Sequence, residues 1–389
     1  MPGEPPPLRQ MMEALVAEPS ISAVEPEHDQ PNRAVVDRLA QWAEDAGFAV
    51  EVQEIAGKPG KANLIATLGQ GGDGLVLAGH TDTVPTTPAL WSSDPFRLDE
   101  RDGRLYGLGI CDMKAFLALA LDASRGLRPR DLRQPLILLA TADEESDMSG
   151  ARALLDERVR LGRQAVIGEP TGMRPARMHK GVMMEAVRIV GRSGHSSNPA
   201  LGINALDGMT VVLNELIRWR SELAERYRND AFNVPYPTLN LGSIHGGDNP
   251  NRICASAELH IDIRPLPGMT LDELRHELDA RLTAALGEGR GELSVFPLFS
   301  GQEPMETAAD AAIVRAAERQ TGEEAGAVAF GTEGPFFARA GMDVVIWGPG
   351  DIDQAHQPDE YLAMDRIEPT LDGLRGMIRN FCVDEAAGA

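Results

Sequence analysis

The sequence predicts an α/β protein: a catalytic domain with a mixed, largely parallel sheet flanked by helices, interrupted by an inserted two-layer α+β domain. Three observations carry this. Short apolar runs alternate with helix-period segments as far as Ile167, a different strand and helix pattern occupies about 179 to 296, and the first pattern resumes from Ala309. A chain of 389 residues also exceeds the usual size of one hydrophobic core. The expected domains are 1–178 with 297–389, discontinuous, and 179–296.

After an extended Pro-rich start, the segment Asn32–Ala46 puts Val35, Val36, Leu39, Trp42 and Ala43 at helical spacing, and Gly47 supplies the stop. Strands at Leu75–Ala78, Leu136–Ala140 and Ala165–Ile167 are separated by helices from about Met113 and about Ser149, the alternation that builds a parallel sheet. In the middle region Met183–Val190 reads as a partly alternating strand, followed by a helix from about Pro199 to Trp219. The alternating strand Ala257–Arg264 and the helix Leu271–Leu286 then complete a compact α+β unit. Strands at Ala327–Phe330 and Val344–Trp347 and a helix at Ile367–Cys382 finish the first domain.

The composition, 43% hydrophobic and 25% charged, is that of an ordinary globular protein, and no apolar run approaches the roughly 18 residues a membrane span requires. A formal net charge of -22 without any Lys/Arg cluster argues against nucleic acid and anionic lipid as partners. The first residues, Met-Pro-Gly-Glu-Pro-Pro-Pro, lack a basic segment and an apolar core, so the expected location is the cytoplasm. Cys111, Cys254 and Cys382 offer no disulfide framework and are expected to be reduced thiols.

Acidic residues and histidines collect where the predicted strands end, the edge at which α/β sheets form ligand crevices. His80 and Asp82 follow the first such strand, Asp112 starts a helix, Glu144 and Glu145 follow Leu136–Ala140, Glu169 follows Ala165–Ile167, and His356 follows Val344–Trp347. Imidazole and carboxylate without thiolate suit zinc, with cobalt or manganese as substitutes. His80, His356, Asp112, Glu145 and Glu169 exceed what one open tetrahedral ion needs and suffice for two ions sharing a carboxylate, for which Asp112 is the candidate. Asp82, two residues past His80, is placed to accept the imidazole N–H and fix its tautomer. Glu144 adjoins a ligand and is left free to act as general base. A lone His-x-Asp or Glu-Glu is ordinarily a hydrogen-bonded pair or a solvated turn; joint occurrence at successive strand ends is what that reading does not explain.

The strings Gly79-His80-Thr81-Asp82-Thr83-Val84-Pro85, Asp112-Met113-Lys114, Asp143-Glu144-Glu145 and Gly168-Glu169-Pro170-Thr171, with His356, resemble the co-catalytic metallopeptidase and aminoacylase family over nearly the whole chain. Longer strings are similar to its bacterial acetylornithine-deacetylating branch. They are Gly246-Gly247-Asp248 with Asn251-Arg252-Ile253-Cys254, then Asp262-Ile263-Arg264-Pro265-Leu266-Pro267-Gly268, and Gln354-Ala355-His356-Gln357-Pro358-Asp359-Glu360-Tyr361.

The resemblance implies one zinc on His80 and Glu169, a second on Glu145 and His356, Asp112 bridging, Asp82 orienting His80, and Glu144 as base. It implies that 179–296 is a lid through which a homodimer forms, with His195 entering the partner's active site to hold the oxyanion. It also implies that Asn251, Arg264 and Thr332 contact substrate, Arg264 being suited to grip an α-carboxylate. The expected reaction is hydrolysis of N2-acetyl-L-ornithine to ornithine and acetate, a step in arginine biosynthesis, with Glu333 reading the substrate's ammonium. A related N-acyl amino acid deacylase, a succinyl-diaminopimelate desuccinylase or a di- or aminopeptidase is the alternative, since all share the ligand set. One departure stands out: the family's Gly-Arg-Gly before the bridging Asp and the Gly after Asp-Met-Lys are here Gly107-Leu108-Gly109 and Ala115.

Overall fold

The computed structural model describes residues 3–159 and 161–383. Helices α1 (Leu8–Val16) and α2 (Arg33–Asp45) lead into strands β1 (Ala49–Glu54), β2 (Ala62–Leu68) and β3 (Leu75–His80). The hairpin β4 (Asp99–Arg101) and β5 (Arg104–Tyr106) precedes α3 (Lys114–Ala123), β6 (Leu136–Thr141), α4 (Ser149–Asp156), β7 (Gln164–Ile167) and β8 (Ala176–His179). Then come β9 (Met183–Val190), α5 (Ala205–Arg226), β10 (Thr238–Gly246), β11 (Ser256–Arg264), α6 (Leu271–Leu286), β12 (Glu292–Pro297) and β13 (Met305–Glu306). The last elements are α7 (Ala312–Thr321), β14 (Gly326–Val328), α8 (Gly334–Arg339), β15 (Asp343–Ile346), β16 (Tyr361–Ala363) and α9 (Ile367–Cys382).

Two compact units divide these residues. One contains the described residues of Met1–Arg177, Thr307–Gly326 and Thr332–Ala389; the other is Met178–Glu306 with Ala327–Gly331. The first unit is built on a mixed sheet in which β6, β3, β7 and β15 lie side by side and parallel. The antiparallel strands β2 and β1 extend one side. β3, β6 and β7 are buried at every position, as the central strands of a sheet covered on both faces must be. Helix α3 packs against α1 and α9 and is buried along nearly its whole length.

The extended start expected from the prolines is in part a helix: α1 begins immediately after Pro7 and buries Met11, Met12, Leu15 and Val16. Those residues stand at helical spacing, so the signal was present, and a proline at the N-cap opposes nothing because the first turn needs no N–H from it.

In the second unit β10, β11, β9 and β12 form an antiparallel sheet. Strand β11 alternates buried and half-exposed residues, and helices α5 and α6 cover its buried side with Met209, Val212, Leu216, Trp219, Leu274, Leu278 and Leu282. The expected helix from Pro199 is shorter at that end. Pro199–Leu201 is a single 3-10 turn, and α5 starts at Ala205, where the Asn204 side chain accepts from the Leu206 N–H and caps it. Strand β14 likewise stops at Val328, short of Phe330.

Candidate active site

Because β6, β3, β7 and β15 are parallel, their C-terminal ends share one edge of the sheet, and each hands a functional segment to that edge. His80 is the last residue of β3; Glu144 and Glu145 follow β6, Glu169 follows β7, and His356 lies in the segment after β15. Asp112 arrives from the loop between β5 and α3 and completes the group.

The Asp112 carboxylate sits between the two imidazoles. Its Oδ1 is 3.0 Å from His80 Nε2 and its Oδ2 is 3.6 Å from His356 Nε2. His356 Nε2 is also 3.0 Å from Glu145 Oε2. Ligand atoms of His80, Asp112 and Glu145 all fall within 4.8 Å of one another, as do those of His80, Glu144 and Glu169. All six residues are thus drawn together, and Glu144 stands among the ligand atoms.

Asp82 is placed differently from the sequence expectation. The His80 Nδ1–H donates to the backbone carbonyl of Asp82 at 3.0 Å, while the nearer oxygen of the Asp82 carboxylate is 3.7 Å away. That carboxylate instead accepts the Glu145 backbone N–H at 3.0 Å. The tautomer of His80, with Nε2 facing Asp112, is therefore set by main chain, and the Asp82 side chain fixes the Glu145 loop.

The same loop is tied from its other side. Asp143, at φ 58°, accepts from Lys61 at 2.6 Å, Lys58 at 2.8 Å, Ser22 at 2.9 Å and Ser149 at 2.9 Å. A non-glycine residue in the left-handed region is held there only by surroundings that over-determine it, and four donors on one carboxylate do so. Sequence reasoning missed Lys58 and Lys61, which stand in a Gly-Lys-Pro-Gly-Lys loop that reads as a solvated turn. It also missed Glu360, described below.

Electrostatically the cluster is overloaded with acid. Burial pushes Glu144 and Glu169 well above the usual carboxylate range, with neighbouring carboxylates adding to it, and raises Glu145 less. Burial works in the same direction on Asp112, but the His80 hydrogen bond and both imidazolium charges bring it below its ordinary value. His356, half-exposed, is raised to about 9 chiefly by its hydrogen bond with Glu145. For His80 burial opposes the charged form, yet Asp112 and Asp82 hold it well above the usual range.

More carboxyl groups gather here than the two imidazoles can neutralise, and among the described residues the Asp82 Oδ1 and Glu333 Oε1 atoms have no hydrogen-bond partner. The donors are imidazole nitrogen and carboxylate oxygen; Cys111, beside Asp112, directs its thiol to the Asp351 carbonyl at 3.4 Å. Such a set fits two borderline divalent ions and would be costly to bury without them.

A family model described as peptidase family M20/M25/M40 matches residues 76–380, a stretch that contains every residue of this cluster. The chain belongs to the M20/M25/M40 peptidase family. As a member it is a hydrolase of the M20 metallopeptidase and aminoacylase type. The fold agrees with solved structures of low sequence identity. A tripeptidase from Staphylococcus aureus superposes with a TM-score of 0.75 at 20% identity, covering 96% of this chain and 97% of that one. A metallo-carboxypeptidase of the M20 family from Sulfolobus solfataricus gives 0.75 at 18%, covering 96% and 99%. A dinuclear metal-binding M20 peptidase from Bacillus subtilis gives 0.67 at 14%, covering 95% and 96%.

The remaining candidate residues divide by unit. In the second unit, exposed His195 and Asn251 lie on neighbouring loops joined by the Ser196 N–H to Asn251 carbonyl bond of 3.1 Å, and His195 Nδ1 is 2.8 Å from Ser197 Oγ. Arg264 ends β11 and donates through Nε to Asp262 at 3.1 Å. In the first unit, Thr332 and Glu333 lie in the interior, and Glu333 departs from the sequence expectation. Thr332 is fully buried and its hydroxyl accepts the Gly334 N–H at 3.0 Å. Glu333 is 1% exposed and accepts from the Thr141 hydroxyl at 2.8 Å. Glu333 supports the end of β6 from the interior, and an ammonium group from solvent has no exposed Glu333 carboxylate to meet.

Proposed function

We propose that this M20 hydrolase is a two-metal amidohydrolase that removes the acyl group from an N-acyl amino acid, with N2-acetyl-L-ornithine as substrate and ornithine and acetate as products. The observation that carries the reading is the Asp112 carboxylate, presenting one oxygen to His80 and the other to His356. That is the arrangement a shared ligand requires. His80 and Glu169 would hold one ion and Glu145 and His356 the other, with Asp112 common to both. When bound, two zinc ions, or cobalt or manganese in their place, supply positive charge for the amide oxygen and lower the pKa of the attacking water.

Among the described residues the Glu144 side chain has no hydrogen-bond anchor, and it lies half-buried beside Glu169 and Glu145. A carboxylate in that setting is a strong proton acceptor, so Glu144 takes the proton from the attacking water and delivers it to the leaving amine. Glu145, whose backbone is held by Asp82, stays in place as a ligand. Arg264 and Asn251 bind the substrate's carboxylate end, and His195 holds the developing oxyanion from the second subunit of a homodimer. The edge strand β10 supports that assembly: it has no partner on its outer side among the described residues, and Ile244 on it is 47% exposed.

The ornithine assignment rests on the resemblance of the strings around Asn251, Arg264 and His356; a desuccinylase or a di- or aminopeptidase would use the same ligands. A panel of acetylated, formylated and succinylated amino acids and dipeptides, assayed after chelation and after zinc or cobalt is restored, separates them. Deacetylation of acetylornithine, lost on chelation and restored by metal, is the expected result. Activity that survives complete metal removal would overturn the proposal.

A further inference from the structure

Glu360, four residues after His356, is 2% exposed and bonds to the loop that carries Asp112 at four points. Its Oε1 accepts the N–H of Cys111 at 2.7 Å and of Asp112 itself at 3.1 Å. Its Oε2 accepts the N–H of Gly109 at 2.9 Å, and its backbone carbonyl accepts that of Gly107 at 3.1 Å. Immediately after it, β16 pairs antiparallel with β5, Tyr361 opposite Tyr106. The segment running from His356 to Ala363 is therefore zipped onto the segment from Arg104 to Asp112.

The loop accommodates this only with glycine at one position. Gly109 has φ 78°, and a Cβ there would come within 2.6 Å of Thr83 Cγ2. With the backbone so fixed, the three N–H groups converge on one carboxylate, which is the only side chain type able to accept all three at two oxygens.

The geometry points to Glu360 as a positioning residue that fixes the separation of Asp112 and His356, and with it the affinity of the site for its second ion. This rests on the two-metal reading above. Both Glu360 side-chain oxygens are taken up by main-chain N–H groups, so it holds the main chain of one ligand from four residues beyond the other. A Gln at 360 keeps one acceptor oxygen and leaves either Gly109 or the Cys111 and Asp112 pair unsatisfied. An Asp keeps both carboxyl oxygens but falls one methylene short.

The test uses the full chain. Wild type, Glu360→Gln, Glu360→Asp and Asp359→Asn are stripped of metal and titrated with zinc against a competing chromophoric chelator. Their metal-free melting is recorded alongside. Asp359 is the control: it holds Ser92 at 2.8 Å and 2.6 Å and touches nothing in the Asp112 loop. The expected result is a ten- to hundredfold loss of affinity for one of two zinc ions in both Glu360 variants, the range typical of groups that orient a ligand. Asp359→Asn should bind as wild type, and where zinc saturates the Glu360 variants kcat should fall with KM nearly unchanged. Wild-type affinity in Glu360→Gln, or an equal loss in Asp359→Asn, overturns the inference. A wild type that takes up no zinc overturns the proposed function itself, and this inference with it.

Discussion

Replacing Glu333 with Gln should reduce the pH dependence of the metal-free protein's stability. Burial pushes this carboxyl up to about 7 from an ordinary 4.5, because among the described residues the Thr141 hydroxyl is its single hydrogen-bond partner and Oε1 has none. A carboxyl raised in the folded state keeps a proton that the unfolded chain releases. Its contribution is intact below the unfolded value and is lost as pH rises to the folded one. At about 1.4 kcal/mol per pH unit the full loss is about 3 kcal/mol, of which about 2 to 3 kcal/mol falls between pH 5 and pH 8. Gln does not titrate, so that share of the decline should disappear. Its amide, facing the unpaired position, lowers stability at both pH values alike and cancels from the comparison. Urea unfolding of chelator-treated wild type and variant at pH 5 and pH 8 measures the difference. Parallel pH profiles would refute the argument.

Three further outcomes follow from the same structure. Glu144→Gln should retain two metal ions by elemental analysis while kcat falls by at least about 10² to 10⁴; near-normal kcat at full metal content would remove Glu144 from its role as base. Lys61→Met takes the buried ammonium from Asp143 and Asp29 but leaves Lys58 on Asp143, so urea unfolding at pH 7 should show a loss of about 3 kcal/mol, and an unchanged midpoint would discount the pair. Asn204→Ala removes the cap on α5 and should cost about 1 kcal/mol, read as a lower melting temperature with kcat unaffected in metal-loaded enzyme.

The strands were legible because a central parallel strand must be apolar throughout. Leu75–Ala78, Leu136–Ala140 and Ala165–Ile167 are such runs, and each is a strand of the sheet. Once those strands are parallel, the acidic and histidine residues that follow them must share an edge, so the convergence of His80, Glu144, Glu145, Glu169 and His356 could be read without coordinates. The supports could not. Asp143 is tied by Lys58 and Lys61 across more than 80 positions of sequence, and Glu360 reaches Asp112 across 248. A contact of that range leaves no periodicity, and a lysine in a glycine-rich turn looks solvated until the fold closes over it. Asp82 shows a subtler limit. Sequence spacing placed the residue beside His80, but the choice between its carboxylate and its carbonyl as partner depends on backbone direction, which spacing does not encode.

The adjacent pair Glu144 and Glu145 shows why those supports matter to the chemistry. Two neighbouring glutamates are equivalent as acids, and nothing in their order assigns one to a metal and the other to a proton. The difference is imposed from outside the pair. Asp143 is clamped by four donors in a left-handed turn, and the Glu145 N–H is held by Asp82, so the Glu145 side chain is delivered beside His356 from a fixed backbone. Glu144 lies between those two anchors and turns toward His80 and Glu169 with a carboxylate that burial makes basic. A rigid loop with one carboxylate fixed and its neighbour left to exchange protons is what a base beside a metal pair requires. In this chain the rigidity comes from Asp82, Lys58 and Lys61, none of which would meet the substrate.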